Sequence, residues 1–247
     1  MSLDFTPDAQ AAPTAARIRS HAVTEARLIL SNGEQHILAL VIPLGILIGA
    51  KFWGERFAFD FDMVVPSVFA LAIWSTCFTS LAISTGFERR YNVLERLAAT
   101  PLGKPGILLG KAAAIGLVMV LQVAVLVVAA LILGWRPEIN LAHLAVVLAA
   151  VPLAVLAFAG LGLCLSGTAR PEVTLAVANL LYLVGIMLGI MIPAARYPDS
   201  IQWAVAALPT AALGEALRSG VAWSLLVLAA WAVGSLLIAR KVFQWTS

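Results

Sequence analysis

The sequence predicts an all-α polytopic membrane protein with six transmembrane helices, an N-terminal amphipathic helix and a broken outer segment before the last span. Hydrophobic residues make up 62% of the 247-residue chain and charged residues only 12%, whereas a soluble domain carries about 25% charged residues. The mean hydropathy is +0.97. The long runs are apolar on all sides, unlike the alternating strands of a membrane barrel. They are therefore expected to be helices, which satisfy their own backbone groups in lipid.

Two segments precede the first span. Residues 1–16 are polar, small and proline-containing, and we expect them to form a flexible cytoplasmic tail. Residues 17–32 place apolar side chains at helical spacing, with arginines between them. This pattern predicts an amphipathic helix in the membrane interface. A plain extension of the first span is the alternative.

Six apolar runs predict the six spans of a transmembrane domain that covers residues 36–240. The runs are 36–53, 63–85, 107–133, 141–165, 173–192 and 221–239. Residues 194–218 are different, because an amphipathic stretch too short to span lies among prolines and charges. We expect two short helices here, at or dipping into the outer interface and broken at Pro209. An ordinary outer loop is the alternative.

The distribution of Lys and Arg orients these spans. Six spans place both termini on one side of the membrane, and eleven of the 16 Lys and Arg residues lie on that side, with five on the other. The positive-inside rule therefore predicts that both termini and residues 86–104 are cytoplasmic. The expected location is the cell (plasma) membrane.

The most charged window of the chain, residues 86–104, lies between the second and third spans. Val93, Leu94 and Leu97 form an apolar ridge at helical spacing. Charged side chains surround this ridge, at Arg89, Arg90, Glu95 and Arg96. An apolar centre with a polar rim is typical of a small protein interface, and the Thr-Pro pair at 100–101 ends the helix. The segment is predicted to be a docking site for a soluble partner protein, and a solvated charged loop is the alternative.

Signals for catalysis, metal binding and nucleic-acid binding are missing from the sequence. Neither Gly-Lys pair belongs to a nucleotide-binding loop, and His21, His36 and His143 lie far apart. Cys77 and Cys164 fall inside apolar runs, where cysteine usually acts as a small buried hydrophobe. The basic residues are scattered at span ends and form no nucleic-acid-binding face. The chain is predicted not to be an enzyme and to hold no metal or cofactor of its own.

Few polar side chains lie within the spans. Gln122 and Asn179 are the only amides deep in a predicted span, and Glu215 is the nearest acidic residue, in the broken outer segment. Such groups most often bond a neighbouring helix, and contact with a transported substrate is the alternative. Because no acidic residue lies in the middle of a span, an ion-coupled carrier is disfavoured. If the protein pumps, its energy is expected to come from another chain.

Residues 88–102 read Glu-Arg-Arg-Tyr-Asn-Val-Leu-Glu-Arg-Leu-Ala-Ala-Thr-Pro-Leu. They resemble the loop between spans two and three in the membrane subunits of type II ATP-binding-cassette exporters, the daunorubicin-resistance and polyketide-antibiotic export group. The matching positions are Arg90, Leu94, Arg96, Leu97, Thr100 and Pro101. Asn92 stands where that group usually has Gly, and Asn tolerates the left-handed backbone. Leu208-Pro209 followed by Glu215-Ala-Leu-Arg218 also resembles the pattern before that group's last span.

The resemblance implies a permease subunit of an ATP-driven exporter of amphipathic, drug-like or antibiotic-like compounds, which would contribute to antibiotic resistance by efflux. Residues 17–32 would be its connecting helix, and residues 86–104 its coupling helix in a groove of the ATP-binding subunit. The implied coupling residues are Glu88, Arg89, Arg90, Val93, Leu94, Glu95, Arg96, Leu97, Thr100 and Pro101.

The resemblance also implies the partners. Two ATP-binding subunits, which would hold ATP and Mg, would pair with two permeases, identical or homologous, in membrane lipid. Spans one, two and five and residues 194–218 would line the path. Two alternatives remain open, a lipid or glycan exporter of the same fold and a non-transporting membrane assembly or immunity protein.

Overall fold

A computed structural model describes residues 11–31, 33–57, 60–137 and 140–245. Helices form nearly all of this structure, and the described residues contain no β-strand. The α-helices are α1 (Thr14–Ser31), α2 (Gly33–Trp53), α3 (Phe61–Trp74), α4 (Leu81–Arg90), α5 (Val93–Ala98), α6 (Gly103–Ile132), α7 (Leu141–Thr168), α8 (Pro171–Met187), α9 (Asp199–Ala206), α10 (Pro209–Ser219) and α11 (Trp223–Val242). The predicted all-α class is confirmed.

Helices occupy all six predicted spans. Within the described part of the chain, four helices are long and apolar enough to cross a membrane, namely Phe61–Arg90, Gly103–Ile132, Leu141–Thr168 and Trp223–Val242. Two shorter apolar helices, Leu40–Trp53 within α2 and Pro171–Met187, correspond to the first and fifth predicted spans. With four such helices and two shorter ones, the chain is a polytopic membrane protein.

The central element is a continuous helix in which α3 and α4 are joined by one π-helical stretch, Ser75–Ser80. Its most apolar window is 89% buried inside the protein, whereas the other three long helices reach 33% at most. Trp74 stacks on Phe78 with ring centroids 4.2 Å apart, and Phe158 meets Trp74 edge-on at 4.7 Å. The remaining helices therefore form a shell around this axis and supply most of the apolar outer surface.

Long-range contacts sort the loops onto two ends of the bundle. At one end, Arg17 donates to the Pro101 carbonyl, and the Lys104 ammonium lies 5.1 Å from the ring centroid of Trp245. The first and last described segments therefore share this end with the loop between α4 and α6. At the other end, His143 Nε2 lies 3.2 Å from the Leu217 carbonyl oxygen. Assignment of the first end to the cytoplasm still rests on the Lys and Arg distribution.

Two predicted boundaries need correction. Helix α1 begins at Thr14, so the last residues of the predicted tail 1–16 are helical. Residues 1–10 and Asn32 lie outside the described part of the chain. The fifth span was predicted as 173–192, but its helix ends at Met187 because Gly189 adopts a φ of +90°, which an α-helix cannot accommodate.

The outer segment forms two short helices, α9 and α10, and Pro209 occupies the first turn of α10 as the sequence predicts. Most of α10 is buried, and it packs against α3, α7 and α11. The guanidinium of Arg218 fixes it there. That group donates to the Ser67 hydroxyl at 2.9 Å and to the Gly189 and Ile190 carbonyls at 2.9 and 2.5 Å. Part of the outer segment is therefore an internal packing element.

Candidate functional site

The loop between the second and third spans contains a separate short helix. The prediction that residues 86–104 form one coupling helix is incorrect, because α4 continues to Arg90, α5 covers only Val93–Ala98, and α6 begins at Gly103. Asn92 separates α4 from α5 with φ 56° and ψ 23°. This is the left-handed conformation expected for the position, which Asn tolerates better than most residues.

A second turn separates α5 from α6. The Thr100 hydroxyl donates to the Leu97 carbonyl at 2.6 Å and accepts from the Leu102 amide at 3.3 Å. Gly103 then takes a φ of +65°. As predicted, the Thr-Pro pair ends the helix. Two tight turns thus isolate α5 as a six-residue helix at this end of the bundle.

The two faces of α5 have different environments. Val93, Glu95 and Arg96 are exposed, Leu97 is half-buried, and Leu94 is only 1% exposed. Leu94 therefore does not belong to an exposed ridge, contrary to the sequence prediction. A helix this short is unstable alone, and α5 packs against α4 and α6. Leu94 anchors it to the bundle.

Arg89 is turned inward, where it caps another helix. Its side chain is buried, and its Nη1 and Nη2 atoms each lie 2.5 Å from a carbonyl oxygen, those of Gly167 and Ala169. These carbonyls lie at the C-terminal end of α7, where backbone acceptors lack helical partners and a cation is favourable. The backbone N–H of Gln244 also donates to the Gly167 carbonyl, at 3.2 Å. Arg89 thus positions α4 against α7 instead of presenting charge at the surface.

Arg90 points outward, next to this buried arginine. It forms an ion pair with Glu172 in the first turn of α8, and both side chains are largely exposed. Surface pairs of this kind contribute at most about 1 kcal/mol. Two adjacent arginines of the predicted coupling set therefore have unlike roles, one internal and one at the surface.

A buried ion cluster joins this loop to α1. The Lys111 ammonium lies 2.6 Å from Glu88 Oε1 and 3.2 Å from Glu25 Oε2, and Lys111 is 4% exposed. The cluster connects α1, the end of α4 and the third turn of α6. His21 lies beside it on α1, with Nε2 3.9 Å from Glu25. Burial lowers the pKa of His21, an effect that the Glu25 carboxylate partly opposes.

The sequence did not predict this cluster, although one signal was available. A lysine near the start of a long apolar helix requires a carboxylate or carbonyl partner. Periodicity cannot identify that partner, because Glu25 lies 86 positions earlier in the chain.

Helix α1 docks on α6 along a row of small residues. Gly106, Gly110 and Ala114 are spaced four apart, and a Cβ on Gly110 would overlap the His21 ring. Ala114 also packs with Ala26 of α1 in a small apolar cluster. Small residues at this spacing let two helices approach closely. This packing, the ion cluster and the bond from Arg17 to Pro101 hold α1 against the loop.

The three predicted path residues do not come together. Gln122 accepts a hydrogen bond from Thr76 at 2.5 Å, in line with the expected helix-to-helix role. Asn179 lies on the exposed side of α8. Glu215 is partly exposed and pairs with Arg218 at 3.1 Å. None of the three lines either cavity beside the central helix.

Those two cavities differ in chemistry. One, of about 250 Å³, lies between α1, the central helix and α6 and includes Glu25, Glu88 and Lys111 in its lining. The other, of about 420 Å³, is mostly apolar and has Trp74 and Trp231 among its lining residues. The described residues contain no group of three or more His, Cys, Asp or Glu able to hold a metal.

Comparison with known protein families finds a similarity over most of the chain. The model for the ABC-2 type transporter family matches residues 26–222. That range starts within α1 and ends just before α11. It includes the predicted coupling residues and the three predicted path residues, while Glu25 of the ion cluster lies one position before it. No curated protein matches the chain.

Proposed function

Because the chain belongs to the ABC-2 type transporter family, we propose that it is the permease of an ATP-driven exporter moving amphipathic, drug-like compounds outward across the cell membrane. Family membership makes it the membrane component of an ATP-binding-cassette transporter. In the proposal, two separate ATP-binding subunits hold ATP and Mg and hydrolyse the nucleotide. Drug efflux and antibiotic resistance are the proposed consequence, and lipid or glycan export is the second candidate.

One observation carries this proposal, the isolation of α5 between two turns with an exposed outer face. Val93, Glu95 and Arg96 supply an apolar side chain and two opposite charges on that face. A partner could contact these three residues directly, because they are exposed. An exposed apolar side chain beside two charges is typical of a small protein interface. The arrangement therefore fits a docking role better than it fits a simple connection between two helices.

The same helix is well connected to the rest of the bundle. Its inner face carries Leu94, and α4 runs without interruption into the buried central helix. A force on α5 would therefore move the central helix. The pair of Lys111 with Glu88 would pass this movement to α6, and the pair of Lys111 with Glu25 would pass it to α1. This supports rigid-body switching between inward-open and outward-open states.

A second permease is part of the proposal. Asn179 lies on α8 among exposed leucines such as Leu175 and Leu180. An amide in hydrocarbon is unfavourable unless a neighbouring helix supplies a bonding partner. This face of α8 therefore fits an identical or homologous permease better than it fits lipid.

The docking proposal can be tested by co-purification. Val93→Asp combined with Arg96→Glu is expected to abolish recovery of the ATP-binding subunit with the tagged permease, because both changes lie on the exposed face of α5. Arg240→Glu, a matched charge reversal at the exposed end of α11, should leave recovery unchanged. Full recovery with the α5 variant would show that α5 is not the docking element.

A further inference from the structure

The cavity beside the ion cluster combines an apolar wall with a charged end. Leu81 and Ile115 belong to the wall, and Glu25, Glu88 and Lys111 are the charged residues that line it. Its volume is about 250 Å³, which is small for a ligand pocket. It can accommodate a compact amphipathic group.

The charged end carries one carboxylate more than it has ammonium groups. Lys111 is shared between Glu25 and Glu88, at 3.2 and 2.6 Å. Glu88 Oε2 is shielded from solvent and accepts no hydrogen bond within the described structure. A buried carboxylate oxygen without a donor is unfavourable. Glu88 Oε2 is therefore the carboxylate oxygen of this site that lacks a donor.

We infer that this cavity binds an ammonium group carried on an apolar body, the head of a cationic amphiphile. The ammonium donates to the carboxylate of Glu88, and the apolar body packs against Leu81 and Ile115. Tyr91, which also lines the cavity and is 64% exposed, offers an aromatic face near the opening. An anionic head group is rejected by the two carboxylates. The inference rests on the proposed export function in naming this guest as cargo.

The position of the cavity connects such a guest to the proposed coupling element. Tyr91 and Val93 come from the loop around α5, and Leu28 and Ile29 come from α1. A bound guest therefore touches α1, the central helix, α6 and the first residue of α5 at once. Occupancy of the cavity then favours one position of α5 over another, which couples cargo binding to the ATP-binding subunit.

The ammonium has two possible sources, a free amphiphile or a phospholipid head group. Both satisfy the same carboxylate. Phosphatidylethanolamine carries a primary ammonium, whereas phosphatidylglycerol carries none. Nanodiscs made from one lipid or the other therefore separate the two sources.

The test uses the full chain in phosphatidylglycerol nanodiscs and three probes with one body, 4-phenylbutylammonium, 4-phenylbutanol and 4-phenylbutyrate. Saturation-transfer NMR measures binding, and nanodiscs without the protein correct for partition of each probe into lipid. We expect the ammonium to bind about tenfold more tightly than the alcohol, because charge-assisted hydrogen bonds are the stronger ones, and the carboxylate not to bind. Glu88→Gln should remove the preference, whereas the exposed-site control Glu172→Gln should keep it.

A second variant tests the same cavity if Glu88→Gln fails to fold. Ser84 lines the cavity, and Ser84→Leu fills part of it without changing any charge. This variant should lose ammonium binding while it elutes like the wild type in gel filtration. Equal binding of alcohol and ammonium to the wild type overturns the inference, as does an unchanged preference in both folded variants.

The lipid arm identifies the source of the ammonium. The two bilayers differ in surface charge, so each is judged by the ratio of ammonium probe bound by the wild type to that bound by Glu88→Gln. If this ratio is lower in phosphatidylethanolamine nanodiscs, the lipid head group is a guest of the cavity. If it is not, a free amphiphile is the guest, and either result supports an ammonium site. The assay contains no ATP-binding subunit, so a negative result here leaves the docking test of α5 unaffected.

Discussion

Replacing Arg89 by methionine is expected to lower the free energy of unfolding by about 3 kcal/mol. The side chain is 5% exposed and makes two hydrogen bonds of 2.5 Å to backbone carbonyls. Bonds from a charged donor contribute about 1.5–3 kcal/mol each. Relief of the desolvated charge offsets part of this loss. In the variant, the Gly167 carbonyl keeps its hydrogen bond from the backbone N–H of Gln244. Most of the loss therefore comes from the Ala169 carbonyl, which loses its bond from Arg89.

The adjacent arginine is the matched control. Arg90 pairs with Glu172 at the surface, so Arg90→Met should change the free energy of unfolding by less than about 1 kcal/mol. The free energy of unfolding of both variants is measured by titrating the detergent-solubilised chain with sodium dodecyl sulfate. The fluorescence of its seven tryptophans follows the unfolding. Arg89→Lys retains the charge but lacks the two paired donors of the guanidinium. Its free energy of unfolding should therefore lie between those of the wild type and Arg89→Met.

Equal stability of the Arg89→Met and Arg90→Met variants would refute this reasoning. It would mean that the buried guanidinium does not hold α7 against α4. A loss in Arg89→Met that Arg89→Lys fully restores would show that charge alone matters, without the two-pronged geometry.

Two further substitutions test the packing of the loop and of α1. Leu94→Asp places a charge at a buried position and should release α5 from the bundle, raising amide hydrogen exchange throughout that helix, whereas Val93→Asp at the exposed face should leave exchange near the wild-type rate. Gly110→Leu should free α1 from α6 and raise exchange in α1, because no Cβ fits beside His21. Gly116→Leu on the same helix is its control, since a Cβ there meets nothing within 4 Å. Unchanged exchange in either test variant would contradict the packing described.

Much of the fold could be predicted from the sequence because local patterns determine it. Each apolar run corresponds to a helix of the structure, and Pro209 identified the break between α9 and α10. The left-handed turn at Asn92 was expected from the family resemblance, since the position usually carries Gly there and Asn tolerates the same backbone. The end of the fifth span was placed too late, because Gly189 was read as part of an apolar run although its φ of +90° ends the helix.

The candidate site was harder to predict. Helical spacing groups Leu94 with Leu97 and Val93, but it cannot tell which side of α5 meets the bundle. Only the contact of α5 with α4 and α6 decides that Leu94 is buried. The same holds for Arg89 and Arg90, since neighbouring positions on a helix point about 100° apart and only the location of α7 turns one inward.

The sequence by itself determined that the chain is a bundle of apolar helices, and it located the charged loop that the bundle exposes. Burial of apolar side chains and the conformational limits of Pro, Gly and Asn are local effects, readable from a short window. The tertiary structure alone decided that Glu25, Glu88 and Lys111 share one buried cluster beside a cavity. Charge pairing acts through space, and the partners come from three helices whose contact no window of sequence contains.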